Sequence, residues 1–261
     1  MTDQSIGPLN VLLLGGTTEA TALASKLSRD NRFRGGLSLA GRTANPAASE
    51  IPTRIGGFGG VQGLADYIGA HAIDVVVDAT HPFAARISAN AIAACQGSGC
   101  PLVSLERLPW QRQDGDNWMH QSTVAEAIQA LPQTPSIVFS GLGRLSLDEL
   151  AAAPQHHYVI RLIDPPLRPL ALPHVSLIMG RGPFKTTDDV ALFRQHSIDF
   201  VLAKNAGGTA SVSKIEAARV LGLTVMIIDR PFIPPRKTHA TVEAVWEALL
   251  AHITPPTNLG V

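Results

Sequence analysis

The chain has 261 residues, in which 21 basic and 21 acidic side chains cancel, 45% of residues are hydrophobic and only 5% are aromatic. That length suits two compact lobes, and an interior built from Ala, Val, Leu and Ile favours helices packed on a mainly parallel sheet over a β-sandwich. The absence of like-charge runs argues against a nucleic-acid track or an anionic membrane surface, so the expected partner is a small molecule. Cys95 and Cys100 are too few for a disulfide framework and lack metal spacing, which fits a reducing cytoplasm with no metal site. The polar start of the chain reads as no secretory signal, and no apolar run approaches the roughly 20 residues that span a bilayer.

Residues 9–14 form an apolar run ended by Gly15 and Gly16, the pattern of a strand buried on both faces. A helix follows, with Ala20, Leu23, Ala24 and Leu27 at i, i+3, i+4 and i+7 and a threonine to cap its first turn. The alternation continues through strands at 37–40, 73–78 and 102–105 and helices at 61–70 and 84–95, an order that predicts a parallel sheet. A second series has strands at 136–140, 158–162, 175–179, 200–203 and 224–228, with helices near 187–195 and 210–221. A weak internal repeat, LERLPW leading to TVAEAIQAL and IDRPFI leading to TVEAVWEAL, suggests that each half closes with its own helix. The predicted architecture is therefore two Rossmann-like lobes, residues 1–132 and 133–261.

Gly15, Gly16, Thr17, Thr18, Glu19 and Ala20 lie where a strand meets a helix N-terminus, whose free amides and dipole favour a phosphate. The full GxGxxG pattern is missing, and a purely structural glycine turn would look the same. The next strand ends in Arg42, where dinucleotide folds meet the adenine ribose. A guanidinium suits a 2′-phosphate, so the expected cofactor is NADPH rather than NADH; the alternative is a solvated surface arginine.

Two further loops stand at expected strand ends. Gly57, Phe58 and Gly59, within GGFGG, would let a flat ligand approach bare backbone, or would simply form a flexible connector. Thr80, His81, Pro82 and Phe83 follow Asp78 in DATHPF, facing the nicotinamide or capping the next helix.

Taken together, GGTTEA, AGR, GGFGG, DATHPFA and KNAGG resemble the precorrin-6A reductases of cobalamin biosynthesis, from the first strand to the last helix. The resemblance implies NADPH-dependent reduction of one ring double bond of precorrin-6A to give precorrin-6B. It also implies cofactor mostly on the first lobe and the tetrapyrrole in a cleft between the lobes. His81 is the candidate proton donor, since it alone in the candidate loops titrates near neutrality when unperturbed; it could instead hold the loop, with water as the donor. The carboxylate fringe of such a substrate calls for cations and amides. Candidates in the second lobe are Gly143, Arg144, Arg161, Arg181, Lys185, Lys204, Asn205, Gly207 and Gly208, with Lys204 a candidate for cofactor phosphate as well.

The cobalt-containing ring of the anaerobic pathway is an alternative substrate, and a non-catalytic NADPH-sensing regulator is an alternative function. Dihydrodipicolinate reductase has a similar strand-end loop, but its substrate-lobe signature is missing here. Short-chain dehydrogenases need Tyr-x-x-x-Lys, and neither Tyr67 nor Tyr158 has lysine four residues on. Oligomeric state stays open, a monomer included.

Overall fold

The computed structural model describes residues 7–41 and 48–253. Among them, β1 (Leu9–Leu14), β2 (Phe33–Leu39), β3 (Thr53–Ile55), β4 (Val75–Asp78) and β5 (Leu102–Leu105) build most of a first sheet. Helices α1 (Thr18–Ser28), α2 (Val61–Ala70) and α3 (Ala85–Ser98) connect them. Further along come β6 (Asn117–Gln121), α4 (Val124–Gln129), β7 (Ile137–Ser140), β8 (His157–Leu162) and β9 (Val175–Met179). Then follow α5 (Thr186–Gln195), β10 (Phe200–Lys204), α6 (Ser213–Leu221), β11 (Thr224–Ile228), β12 (Thr238–His239) and α7 (Val242–Ile253).

The apolar run of β1 divides as a doubly covered strand must. Val11 and Leu13 pack with Leu23 and Leu27 of α1, while Leu12 and Leu14 pack with Leu64 and Ile68 of α2 and Ala91 of α3. The second sheet repeats the logic: Phe139, Val159, Val201 and Val225 pack with Phe193 of α5 and Ile215 of α6.

Every pairing in the two six-stranded sheets is parallel, and their orders correspond position by position: β12-β5-β4-β1-β2-β3 and β6-β11-β10-β7-β8-β9. Thus β7 stands in the second sheet where β1 stands in the first, and β10 where β4 stands.

The expected division at residues 132 and 133 is corrected. One compact unit runs to Arg107 and resumes at Phe232; the other runs from Leu108 to Pro231. The two halves exchange their closing strand and helix: β6 pairs with β11, and β12 pairs with β5. Val245 and Leu249 of α7 are fully buried in the core of β1, β4 and β5, whereas α4 packs on β6 and β11. The two closing helices carry equivalent apolar stripes, so nothing local in the sequence dictates which sheet each one covers.

Candidate nucleotide and substrate sites

In the first sheet β1 is followed by β2 on one side and β4 on the other, and parallel sheets bind ligands beyond the carboxyl ends of strands at such a reversal. The β1–α1 turn lies there. A Cβ on Gly15 would come within 2.6 Å of Leu37 Cδ1 and 3.2 Å of Ala20 Cβ, so a side chain there would have to displace the end of Leu37 and crowd the first turn of α1. Gly16 has φ +115°, and a Cβ there would meet nothing within 4 Å, which leaves bare backbone beside open space. Thr17 is the N-cap of α1: its Oγ1 accepts from Ala20 N at 3.1 Å and donates to Ala79 O at 2.9 Å. One hydroxyl thereby caps the helix and ties the turn to the loop after β4. Thr17→Val is expected to cost about 1–2 kcal/mol in urea unfolding, because both bonds go while the shape stays.

The loop after β4 is shaped by Asp78, which is buried at the strand end. Its Oδ1 accepts from Thr80 N at 3.1 Å and from Thr80 Oγ1 at 2.7 Å, which makes Asp78 a turn former. Phe83 N donates to His81 Nδ1 at 3.2 Å. A neutral His81 in this arrangement carries its ring proton on Nε2. Pro82 is buried, His81 and Phe83 are half-buried, and Ala84 N closes the turn on His81 O at 2.7 Å.

Arg42 lies outside the described residues. The Gly57-Phe58-Gly59 loop is organised by Arg54, a residue that sequence reasoning passed over. Arg54 donates to Ser38 Oγ at 2.8 Å, Gly56 O at 2.9 Å and Gly57 O at 3.1 Å, and its guanidinium lies 4.0 Å from the centre of the Phe58 ring. Phe58 turns toward α2, edge-on to Tyr67 at 5.1 Å, and the missing side chain of Gly63 makes room for its carbonyl. Arg107 was also passed over. It donates to Glu19 Oε2 at 2.7 Å, and with Thr17, Glu19, Thr80, Pro82 and Leu105 it lines a small crevice at the β1 and β4 ends. Both residues look like ordinary surface arginines in sequence, since their partners lie far away along the chain or are main-chain carbonyls.

The second-unit candidates stand in the last residues of strands, as Arg161 of β8 and Lys204 of β10 do, or beyond their carboxyl ends, and their contacts separate them. Arg161, expected to face substrate, forms an ion pair with Asp189, and its guanidinium lies 4.9 Å from the Phe139 ring centre and 4.0 Å from that of Phe184. Asn205 is buried and exchanges two bonds with the backbone of Trp110, accepting from its N at 2.8 Å and donating to its O at 3.1 Å. Gly208 O accepts from Trp110 Nε1 at 2.7 Å, and Gly207 closely approaches Leu108 O. The KNAGG block therefore clamps the segment that leads out of β5 into the second unit. Lys204 Nζ donates to Leu142 O at 3.0 Å and Ser146 Oγ at 3.3 Å, joining the β10 end to the β7 turn. Gly143 has φ +80° and precedes the half-buried Arg144; Arg181 and Lys185 are exposed beyond β9.

A family model described as precorrin-6x reductase CbiJ/CobK matches residues 10–250. The chain belongs to the precorrin-6x reductase family. The precorrin-6A reductase of Rhodobacter capsulatus is 50% identical over 249 residues, covering 95% of this chain and 99% of that protein. That of Sinorhizobium is 48% identical over 220 residues, covering 84% of each. The cobalt-precorrin-6A reductase of Priestia megaterium is 30% identical over 256 residues, covering 92% of this chain and 98% of that protein. A solved structure of CobK precorrin-6A reductase matches with a TM-score of 0.91 at 49% identity, covering 96% of this chain and all of that one. As a precorrin-6x reductase the chain is an oxidoreductase, and family membership implies a nicotinamide cofactor. The first unit fits such a dinucleotide: Gly16 leaves open space beside the turn, Gly15 admits the helix, and the amides of Thr18 and Glu19 precede the first intrahelical bond, Thr21 N to Thr17 O. No helix among the described residues is long and apolar enough to cross a membrane.

Proposed function

We propose that this reductase uses NADPH to reduce one carbon–carbon double bond of precorrin-6A, giving precorrin-6B in cytoplasmic cobalamin synthesis. The observation that carries the cofactor reading is the β1–α1 turn: bare glycine backbone and free helix amides at the point where the sheet order reverses. The metal-free ring is favoured over the cobalt-containing one by the fall in identity from 50% to 30% between relatives named for each.

The reduced nicotinamide, when bound, supplies the hydride. The chain's own residues bind, orient and protonate. Gly15, Gly16, Thr17 and the first-turn amides of α1 hold the pyrophosphate, and Arg42 holds the 2′-phosphate that distinguishes NADPH. The turn made by Asp78 and Thr80 holds His81, the residue assigned to protonate the carbon adjacent to the site of hydride addition, a step that needs the imidazolium form and so release of the Phe83 N bond to Nδ1. Arg144, Arg181, Lys185 and Lys204 are the side chains assigned to the substrate carboxylates. Asn205, Gly207 and Gly208 shape the loop that carries Lys204, and Arg161 holds the scaffold beneath them.

The test is a pair of titrations. With precorrin-6A present, Arg42→Ala is expected to raise the KM for NADPH about tenfold or more, a loss of roughly 1.4 kcal/mol of binding, while the KM for NADH changes little. Equal effects on both coenzymes would remove Arg42 from the role, and NADPH oxidation that does not depend on precorrin-6A would remove the substrate.

A further inference from the structure

Glu19 is an unexpected residue at an anion site. It lies in the first turn of α1, where the helix dipole and unbonded amides attract negative charge, so its carboxylate is a built-in competitor for the amides a pyrophosphate would use. Thr17 already satisfies Ala20 N, which leaves the amides of Thr18 and Glu19 as the ones in contention. The carboxylate is held elsewhere. Its Oε2 accepts from Arg107 Nη1 at 2.7 Å and from Thr18 Oγ1 at 3.1 Å.

This ion pair differs from a solvated surface contact. Its side chains are only 13% and 20% exposed, so salt and water screen it less. Arg107 comes from just beyond the carboxyl end of β5, and both partners line the crevice together with Thr17, Thr80 and Pro82. We infer that Arg107 is a positioning residue for the cofactor: by drawing the Glu19 carboxylate off the α1 amides and cancelling its charge, it keeps the phosphate turn open to a dinucleotide. The inference rests on the NADPH reading given above.

A strut that merely fastened the end of β5 would show a different pattern of variants. Without Arg107, the Glu19 carboxylate competes intramolecularly for the amides and repels phosphate. Removing Glu19 as well removes the competitor, so the second substitution repairs the first. The experiment is NADPH binding by nucleotide fluorescence on the full chain, for wild type, Arg107→Ala, Glu19→Gln and the double variant, with urea midpoints recorded alongside. Arg107→Ala is expected to weaken binding about tenfold or more, Glu19→Gln to leave it equal or tighter, and the double variant to return to within about threefold of wild type. The urea midpoint of the double variant should not recover in parallel.

Arg107→Ala binding like wild type overturns the inference, as does a double variant that binds as weakly as Arg107→Ala. If Arg107→Ala does not fold, Glu19→Gln is compared with the double variant: equal affinities support the inference, and a tenfold gap overturns it. A wild-type protein that binds no NADPH overturns the cofactor reading and this inference with it.

Discussion

Arg161→Ala is expected to lower the stability of the second unit by roughly 3–5 kcal/mol, seen as a fall in the urea midpoint. Asp189 is 1% exposed, and its carboxylate has two donors, the Arg161 guanidinium and Ser213 Oγ at 2.7 Å. The pair joins β8 to α5 and α6, and the guanidinium is packed against Phe139 and Phe184. Truncation leaves a buried carboxylate with one neutral partner and a void between two rings. Replacing both charges, as Arg161→Met with Asp189→Leu, should recover most of the loss, because no buried ion is then left alone. An unchanged midpoint in Arg161→Ala would mean that the arginine faces outward, as its position at a strand end first suggests.

Gly207→Ala should be nearly as damaging, at roughly 2–5 kcal/mol by the same measurement. Two effects combine there. The residue has φ +68°, which disfavours any side chain, and an added Cβ would overlap Leu108 O and come within 2.6 Å of Arg230 Nη2. Gly222→Ala separates the two effects: its φ is +66°, yet nothing lies within 4 Å of the added carbon. That variant should lose only about 1–2 kcal/mol, the conformational part. Equal losses at both positions would show that the close approach of the 108 segment contributes nothing.

The fold was legible wherever a period carried it. β1, α2, β5, β9 and β11 have the bounds that hydrophobic patterning predicts, because each is an apolar run or stripe bounded by glycine, proline or polar residues. β2 starts earlier than expected: Gly35 sits inside it because a side chain there would crowd Leu27 and Ile51, a constraint that a sequence does not display. The short β3, β6 and β12 went unseen. Two have only two or three residues, and β6 (NWMHQ) is polar enough to pass for a loop until it joins the edge of a sheet.

The exchange of closing elements was illegible for a deeper reason. The repeat segments TVAEAIQAL and TVEAVWEAL both form helices, which bury Val124, Ala127 and Ile128 on one and Val245 and Leu249 on the other. Which sheet each face covers depends on the route of residues 106–116 and 229–237 and on long-range anchors. Trp110 is held by Asn205 and Gly208, and Arg236 donates to Glu106 at 2.6 Å. Pattern reports what a segment can bury, not where the chain will carry it.

The candidate site divides along the same line. Gly15, Gly16 and Thr17 were legible because a glycine turn between a buried strand and a helix has a chemical signature. The KNAGG block was equally conspicuous, yet Asn205, Gly207 and Gly208 hold the crossing segment, so a distinctive motif here marks close backbone packing. Arg54 and Arg107 went unnoticed because their partners are loop carbonyls or a carboxylate 88 residues away.

Transfer of label from NADPH deuterated at nicotinamide C4 to precorrin-6A, followed by mass spectrometry, probes the proposed chemistry most directly. Using each C4 stereoisomer in turn, one is expected to give a product heavier by one deuteron and one proton, with one NADPH oxidised per macrocycle, and the other to give unlabelled product. NADPH oxidation without a heavier tetrapyrrole, or a reduced product free of label from both stereoisomers, would contradict direct hydride transfer by this chain.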